Sequence, residues 1–380
     1  MDPELSGDQE LLRDTTRRFL ENECSMPTVR GLEHHPDGFD AEWWRRGAEL
    51  GWTALLVAER DGGGSVSGAG MLDAVLVAEE LGRAVAPGPF LPTNVVGAAL
   101  SQAGAEDQRT SILPQLVRGE AVAAWCLSPA RAAWDHERLA VEVARRGDRV
   151  VIDGSCSPVE AAAQADVLLV TGRSAGGVTQ VIVAADTEGV TVTPLEGIDL
   201  VKRFATVTFD QVELPLGSVL GEIDEAAGQV ERQLQVAVSL QCAETVGAMD
   251  EVFGFTLDYV GDRFSFGRPL ASYQALKHRF ADMKVWLEAC AGTATAAAKA
   301  VEQADPDAAE IVSAAKSYIG PHATELVQDC VQMHGGIGVT WEHDIHLCLR
   351  RVALNRNMYG SPIEHRARVA GLLGMVGSHR

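Results

Sequence analysis

The 380-residue chain is 46% hydrophobic and 22% charged and carries a formal net charge of -21. That composition belongs to a folded globular protein. The acidity argues against general nucleic-acid binding, which needs a basic footprint, and against docking on an anionic membrane surface. No apolar run reaches the roughly 18 residues of a membrane-spanning helix, and the acidic start Met1-Asp2-Pro3-Glu4 is unlike a signal peptide. The seven cysteines are scattered, with no CxxC pair, as expected of reduced thiols in a cytoplasmic protein rather than of a disulfide or zinc framework.

The first third reads as helical. Ser6 and Gln9 form a capping-box pattern, followed by Leu11, Leu12, Thr15 and Phe19 at helical spacing. A second helix is predicted from after Asp40 to Gly51, and a third from Met71 to Leu81, with Asp61-Gly62-Gly63-Gly64 breaking the chain between them. Pro87, Pro89 and Pro92 punctuate the next stretch. Near Ala121 the pattern changes to short β-rich runs, among them Arg149–Ile152, Asp166–Val170, Val178–Ala184, Val190–Val192 and Ala205–Phe209, spaced as in an all-β sandwich or barrel. The last part returns to helix over Gln229–Phe264, Gln274–Val301, Asp305–Met333 and Glu364–Leu373. Helices of about 28 residues are roughly 40 Å long, and several of them side by side imply an antiparallel bundle. The expected architecture is multidomain α+β: a helical domain over 1–120, a β-barrel or sandwich over 121–225, and a helical bundle over 226–380.

Two segments stand out chemically. In Arg263-Phe264-Ser265-Phe266-Gly267-Arg268-Pro269, a glycine and a proline break one helix before the next begins near Ser272. Arginines at such a junction can hold a phosphate or diphosphate, or they can be solvated at an exposed helix end. In Gln332-Met333-His334-Gly335-Gly336-Ile337-Gly338, three glycines within four positions allow close approach of a ligand to the backbone, or form a helix C-cap and turn. His334, His343 and His346 sit in a turn and a helix start, with no cysteine at zinc-finger spacing, so no metal site is expected.

These residues carry a resemblance. Arg263-x-Ser265-Phe266-Gly267 with Gln274 and Lys277-His278, and Gln332-x-His334-Gly335-Gly336-x-Gly338, resemble the two signatures of the acyl-CoA dehydrogenases. Trp43 to Trp52, Glu79–Arg83, Ala165–Val170 and Gly197–Gly221 are similar to that family in collinear order. The resemblance implies an N-terminal helical domain, a middle β-domain and a C-terminal four-helix bundle assembled as a tetramer. It implies FAD between middle domain and bundle, with Arg263, Phe266, Gln332, Gly335 and Gly336 touching the FAD of a neighbouring subunit, Gln274 also among the cofactor-binding residues, and Ser128 able to donate to the flavin. It further implies an acyl-CoA substrate and an electron-transfer flavoprotein as electron acceptor. The reaction removes an α-proton and a β-hydride, so the site needs a positioned carboxylate and hydrogen bonds to the thioester carbonyl.

The chain departs from the family where that carboxylate belongs. Counting from Arg350, Met358-Tyr359-Gly360-Ser361 replaces the family's Tyr-Glu-Gly-Thr, putting Tyr359 in the position of the base. A phenol with a pKa near 10 is a poor base at neutral pH. The alternative base position on the first bundle helix is Ala237, followed by Val238. Glu244, two turns further on, is the candidate for a relocated base; its other reading is a buried hydrogen-bonding residue. Glu342 and Asp344 read as caps of the next helix. The flavin-facing Trp125–Arg131 stretch lacks the family's Glu and Gly-Ser-Asp, and Ser157-Pro158 replaces an aromatic element. These losses resemble the degenerate subunit of heteromeric α2β2 bacterial acyl-CoA dehydrogenases, some of which act on steroid side chains. Two other readings stay open: a homomeric enzyme using Glu244, and a flavin-free scaffold or acyl-CoA-binding subunit.

Overall fold

The computed structural model describes residues 5–127, 135 and 138–375. Helix α1 (Gly7–Glu23) starts at the Ser6/Gln9 capping box, in which Ser6 Oγ accepts the Gln9 N–H at 3.2 Å and the Gln9 amide oxygen accepts the Ser6 N–H at 3.1 Å. After the short α2 (Met26–Gly31), α3 (Ala41–Glu49) is capped by Asp40, whose Oδ1 accepts the Glu42 and Trp43 N–H groups at 2.9 Å. Phe19, Trp43 and Trp52 then meet edge-on or tilted within 6.1 Å, the geometry that aromatic quadrupoles favour. Helix α4 (Gly70–Arg83) comes after the glycine turn.

Two further helices, α5 (Phe90–Ala103) and α6 (Glu106–Val117), form where the sequence offers proline punctuation. Pro92 lies in the first turn of α5, where its missing N–H has no intrahelical acceptor to lose.

Among the described residues the middle of the chain is an eight-stranded sheet: β1 (Ala123–Cys126), β2 (Val141–Arg146), β3 (Arg149–Glu160), β4 (Val167–Arg173), β5 (Val178–Ala184), β6 (Val190–Leu195), β7 (Phe204–Pro215) and β8 (Val219–Leu220). Its order is β6-β7-β3-β2-β4-β5-β8, with β1 pairing in parallel with β4. The strand period of two sorts the side chains. Ala124, Cys126, Leu168 and Val170 fill a core internal to the sheet, while Trp125 and Leu169 join the main core shared with the helices. Trp125 is thereby delivered to the boundary between sheet and bundle.

The bundle is built on α7 (Ala227–Asp262, 36 residues), α8 (Gln274–Glu302, 29 residues) and α9 (Ala308–His334, 27 residues). Helices α10 (Ile345–Asn357) and α11 (Pro362–Leu372) pack on α9, and α10 also packs on α7. The N-terminal helices dock through α4 on α7, and this crossing is unusually close. A Cβ on Gly82 would lie 1.9 Å from the Glu244 carbonyl oxygen, and one on Gly247 would lie 1.9 Å from that of Glu79. Two glycines let the backbones touch, and this contact sets the position of Glu244. Among the described residues, no helix is long and apolar enough to cross a membrane.

Gly247→Ala should therefore destabilise the chain by about 1–3 kcal/mol or more, because main chain lies in the way. Gly254→Ala, on the same helix with nothing within 4 Å of the added Cβ, should be neutral or stabilising by about 1 kcal/mol. Urea denaturation of the two variants checks this; equal midpoints would contradict the crossing described.

Candidate functional site

Five segments converge on one buried ion cluster. Arg351 comes from α10 and is 0% exposed. Its Nε donates to Asp199 Oδ2 at 2.6 Å, its Nη1 to Glu244 Oε1 at 2.8 Å, and its Nη2 to the carbonyls of Ala86 and Val85 at 3.1 and 3.3 Å. Lys202 Nζ, also buried, lies 3.0 Å from Glu244 Oε2 and 3.2 Å from Glu160 Oε1. Asn355, one turn beyond Arg351, donates to Glu244 Oε2 at 2.9 Å. Asp199 Oδ1 also accepts the Val201 and Lys202 N–H groups at 3.0 Å. The contributions come from the end of β3, the β6–β7 connection, α7, α10 and the α4–α5 turn.

The electrostatics are set by this geometry. Burial alone would raise the carboxyl of Glu244, but the charges of Lys202 and Arg351 outweigh it and hold that group below the usual range. Asp199 is likewise held down, with burial outweighed by Arg351. Burial wins at Glu160 and raises it. Glu244, the candidate for a relocated base, is thus an acceptor for Lys202, Arg351 and Asn355; a carboxylate so stabilised has little affinity for another proton. Ala237 and Val238 are buried and offer no acceptor.

Tyr359 closes the same region. It lies just beyond α10 with φ +56° and is 7% exposed. Its ring stacks on Trp125, with centroids 5.8 Å apart and an interplanar angle of 23°. Trp125 Nε1 donates to Thr171 Oγ1 at 3.2 Å. Burial, reinforced by the charges of Glu160 and Glu244, pushes the phenol well above its ordinary value, so it is a neutral hydroxyl here. The space left beside Lys202, Glu244, Leu240 and Phe90 is about 10 Å³. A single water needs about that much, whereas small-molecule sites run to roughly 300–1,000 Å³.

The other predicted residues gather at one end of the bundle. Arg263 ends α7 and leads into the hairpin of β9 (Phe264–Ser265) and β10 (Arg268–Pro269). Phe266 at its tip has φ +50° and is 96% exposed. The Arg268 guanidinium lies 3.9 Å from the Tyr273 ring centroid, and Tyr273 Oη donates to the Ser265 carbonyl at 2.9 Å, which braces the hairpin. Gln274 opens α8 and is exposed.

The Gly335-Gly336 turn after α9 belongs to the same end. His334 stacks on Tyr259 of α7 at 4.2 Å and shares a 3.1 Å hydrogen bond with Thr256 Oγ1. Gly335 has φ +64° and ψ -140°, a conformation that only glycine adopts readily. A Cβ on Gly335 or Gly336 would meet nothing within 4 Å. Open glycines, the exposed Arg263 and exposed Phe264, Phe266, Ile337 and Val339 make a cationic, apolar surface left uncovered by the described chain itself. These features fit the diphosphate and ring of a dinucleotide presented from outside.

Ser128 and the Pro129–Arg131 stretch lie outside the described residues. The expectation that Asp344 caps the next helix is corrected. Asp344 stands at the N-cap of α10 without a capping bond, and its carboxylate takes Arg30 Nε at 2.5 Å. His343 Nδ1 accepts the Ile345 N–H instead, at 3.1 Å. Glu342 is exposed. His334 and His343 are 4.4 Å apart in ring contact, and among the described residues no group of three or more His, Cys, Asp or Glu is arranged to hold a metal. Sequence reasoning missed Arg351, Asn355, Asp199, Lys202 and Glu160. One signal existed: Arg351 and Asn355 fall on the helical stripe of Leu347, Cys348 and Val352, where core residues belong.

Arg351→Met should cost about 3–5 kcal/mol in chemical denaturation, because it strands Asp199 and Glu244 as buried, unmatched carboxylates. A loss below about 1 kcal/mol, typical of exposed pairs, would refute this account of the cluster. The pH dependence has a defined sign. Burial and the neighbouring His343 push His334 down to about 4 from an ordinary 6.5. The unfolded chain therefore takes up this proton first, and stability present above pH 6.5 is lost as pH falls toward 4. Melting-temperature profiles should show a shallower decline over that window for His334→Gln than for the wild type.

The family model described as Acyl-CoA dehydrogenase, N-terminal domain matches residues 6–120, and that described as Acyl-CoA dehydrogenase, C-terminal domain matches residues 228–371. Acyl-CoA dehydrogenase IpdE2 of Mycolicibacterium smegmatis is 29% identical over 366 residues, spanning 96% of this chain and 98% of that protein. A glutaryl-CoA dehydrogenase of Mycobacterium smegmatis, solved in complex with FADH2, superimposes with a TM-score of 0.88 at 20% identity, covering 99% of this chain and 97% of that one. A variant of the Tcur3481-Tcur3483 steroid ACAD does so with a TM-score of 0.86 at 25% identity, covering 97% and 98%. With family matches on both helical domains and the full domain order in the fold, the chain belongs to the acyl-CoA dehydrogenase family.

Proposed function

We propose that this chain is one subunit of a heteromeric FAD-dependent acyl-CoA dehydrogenase, and that the catalytic base stands on its partner. One observation carries the reading: the two positions where this chain could carry a base are both occupied otherwise, Tyr359 stacked on Trp125 and Glu244 held by Lys202, Arg351 and Asn355. Tyr359 is a neutral phenol and Glu244 is held as an ion-pair acceptor, so neither serves as the base for an α-proton. This also speaks against a homomeric enzyme that uses Glu244.

What the chain offers is the open end of its bundle. When bound, the flavin of such an enzyme accepts the β-hydride of an acyl thioester, and an electron-transfer flavoprotein takes the electrons onward. The part of this chain is to hold and orient. Arg263 matches diphosphate charge, Phe266 lies against the cofactor from across the subunit boundary, and Gln332, Gly335 and Gly336 present polar groups and bare main chain. Covering Phe264, Phe266, Ile337 and Val339 excludes water from the partner's site. The substrate class we favour is a CoA thioester with a bulky acyl group such as a steroid side chain, supported by the likeness to a steroid acyl-CoA dehydrogenase.

The test is to purify the chain alone and with a co-expressed acyl-CoA dehydrogenase-like partner, reading flavin absorbance near 450 nm and turnover of steroid and short-chain acyl-CoA thioesters. The chain alone should be colourless and inactive, and the complex yellow and active. A yellow, active preparation of the isolated chain would sink the proposal. In the complex, Arg263→Gln should weaken flavin retention by roughly tenfold, the scale of one charge-assisted hydrogen bond. Tyr359→Glu in the isolated chain should not create activity, because the flavin site is completed only by the partner.

A further inference from the structure

An apolar recess lies between α4 and α8, with α7 as its floor and the start of α1 at one end. Its volume is about 310 Å³, at the lower end of the range of small-molecule sites. Leu72, Val75 and Leu76 of α4, Ala243 and Val246 of α7 and Ala291 of α8 line it. Leu72, Val75, Leu76 and Ala291 are only partly buried, so they leave apolar surface bare inside the recess. Positions 72, 75, 76 and 79 follow the spacing of one helix face. Helix α4 thus carries two apolar stripes. Met71, Ala74, Val77, Ala78 and Leu81 lie in the core. The Leu72 stripe stands where an amphipathic surface helix would be polar. This recess is separate from the sites above. Ala78 and Leu81 border the small space beside Glu244, and no residue of the Glu244 cluster or of the Arg263 hairpin lines the recess.

The walls are held apart. Helix α4 is pinned to α7 by the backbone contact at Gly82 and Gly247. Helix α8 is seated in the core through Leu287, Cys290, Ala297 and Ala298. The side chains of Ala243, Ala291 and Ala294 face the gap and are too short to fill it. Fixed helices and missing volume leave apolar surface that a guest can cover.

The polar groups of the lining narrow the class. Gln9 is engaged within the chain: its amide oxygen accepts the Ser6 N–H, and its Nε2 donates to Asp73 Oδ1 at 2.9 Å and Ser67 Oγ at 3.2 Å. Thr295 Oγ1 donates to the Ala291 carbonyl at 3.0 Å. Lys299 is exposed at the rim. The remaining group is Glu79. Burial pushes its carboxyl up to about 7, outweighing Arg83, whose Nη2 lies 3.7 Å away. A wall where burial outweighs an adjoining guanidinium does not favour charge. An anionic head group would meet the Glu79 carboxylate; a cationic one would lose its water beside Arg83 and Lys299. A hydroxyl can accept from the carboxyl or donate to the carboxylate. We infer that this recess binds an uncharged alcohol with a compact apolar body, the hydroxyl at Glu79 and the body packed against Leu72, Val75, Leu76 and Ala291. The inference goes beyond the dehydrogenase reading and does not depend on it.

The probes are 1-octanol, octylammonium chloride and sodium octanoate, titrated calorimetrically into the full chain at pH 7. Octanol should bind one per chain with a Kd below about 1 mM, and either ion at least about tenfold more weakly. Ala291→Phe should fill the recess and abolish octanol binding, with the melting temperature unchanged or raised. Leu76→Gln, a milder change at a partly exposed position, should weaken octanol binding by about tenfold, the scale of one lost apolar contact surface. Glu79→Gln should narrow the preference for octanol over octanoate. Absence of saturable octanol binding would overturn the inference. So would wild-type affinity in Ala291→Phe or Leu76→Gln, tighter binding of either ion, or an unchanged octanol preference in Glu79→Gln. Flavin content and turnover are read separately, so failure here leaves the subunit reading standing, and failure of that reading leaves this one to its own titration.

Discussion

A single guanidinium organises the centre of this molecule. Arg351 is removed from water and must find every partner inside the protein. It finds Asp199 on one side, Glu244 on the other and two carbonyls of the α4–α5 turn at its tip. Because an unmatched buried charge is far more costly than a matched one is stabilising, these segments have one acceptable arrangement. The N-terminal helices, the sheet and the bundle all contribute to it, and it fixes their relative placement. Lys202 extends the same logic to Glu160 at the end of β3.

The cost of that arrangement is space. Between sheet and bundle the interior is taken up by charged side chains and by Tyr359 lying on Trp125. The opposite holds at the far end of the bundle, where Phe266 projects into solvent and two glycines leave room that no described part of the chain takes up. That contrast between a closed interior and an open end of the bundle is what the proposed role as one subunit of a larger enzyme rests on. The close crossing of α4 and α7 at Gly82 and Gly247 serves the closed half, since it places the Glu244 backbone before any side chain is considered.

Local rules explain how the open half is built. Helix α7 stops at Arg263, whose N–H closes on the Tyr259 carbonyl, and the Phe266-Gly267 pair with positive φ turns the chain back within two residues. Helix α9 stops at Gly335 for the same reason of handedness. The His334–Tyr259 stack then holds the two ends in register, so that signatures about 70 residues apart in sequence share one face.

The sequence by itself determined most of the elements and the two chain breaks at the end of the bundle. Ser6 with Gln9, Asp40, the apolar periodicity of the long helices, the alternating strands and the two glycine signatures act over a few residues, and short-range sterics and hydrogen bonds are written in the order of residues. It also determined that Tyr359 stands where a carboxylate is expected. Only the tertiary structure decided what Glu244 does. As a lone carboxylate on a helix it reads equally well as a base or as a buried acceptor, and the choice lies in Lys202 and Arg351, 42 and 107 residues away. Helix α5 was obscured for a related reason, since its prolines signal a break locally while its apolar faces find α7 and β1 only in the folded chain. Electrostatic partnership between distant segments has no period and no local signature; it exists only once packing has brought the charges out of water and within reach of one another.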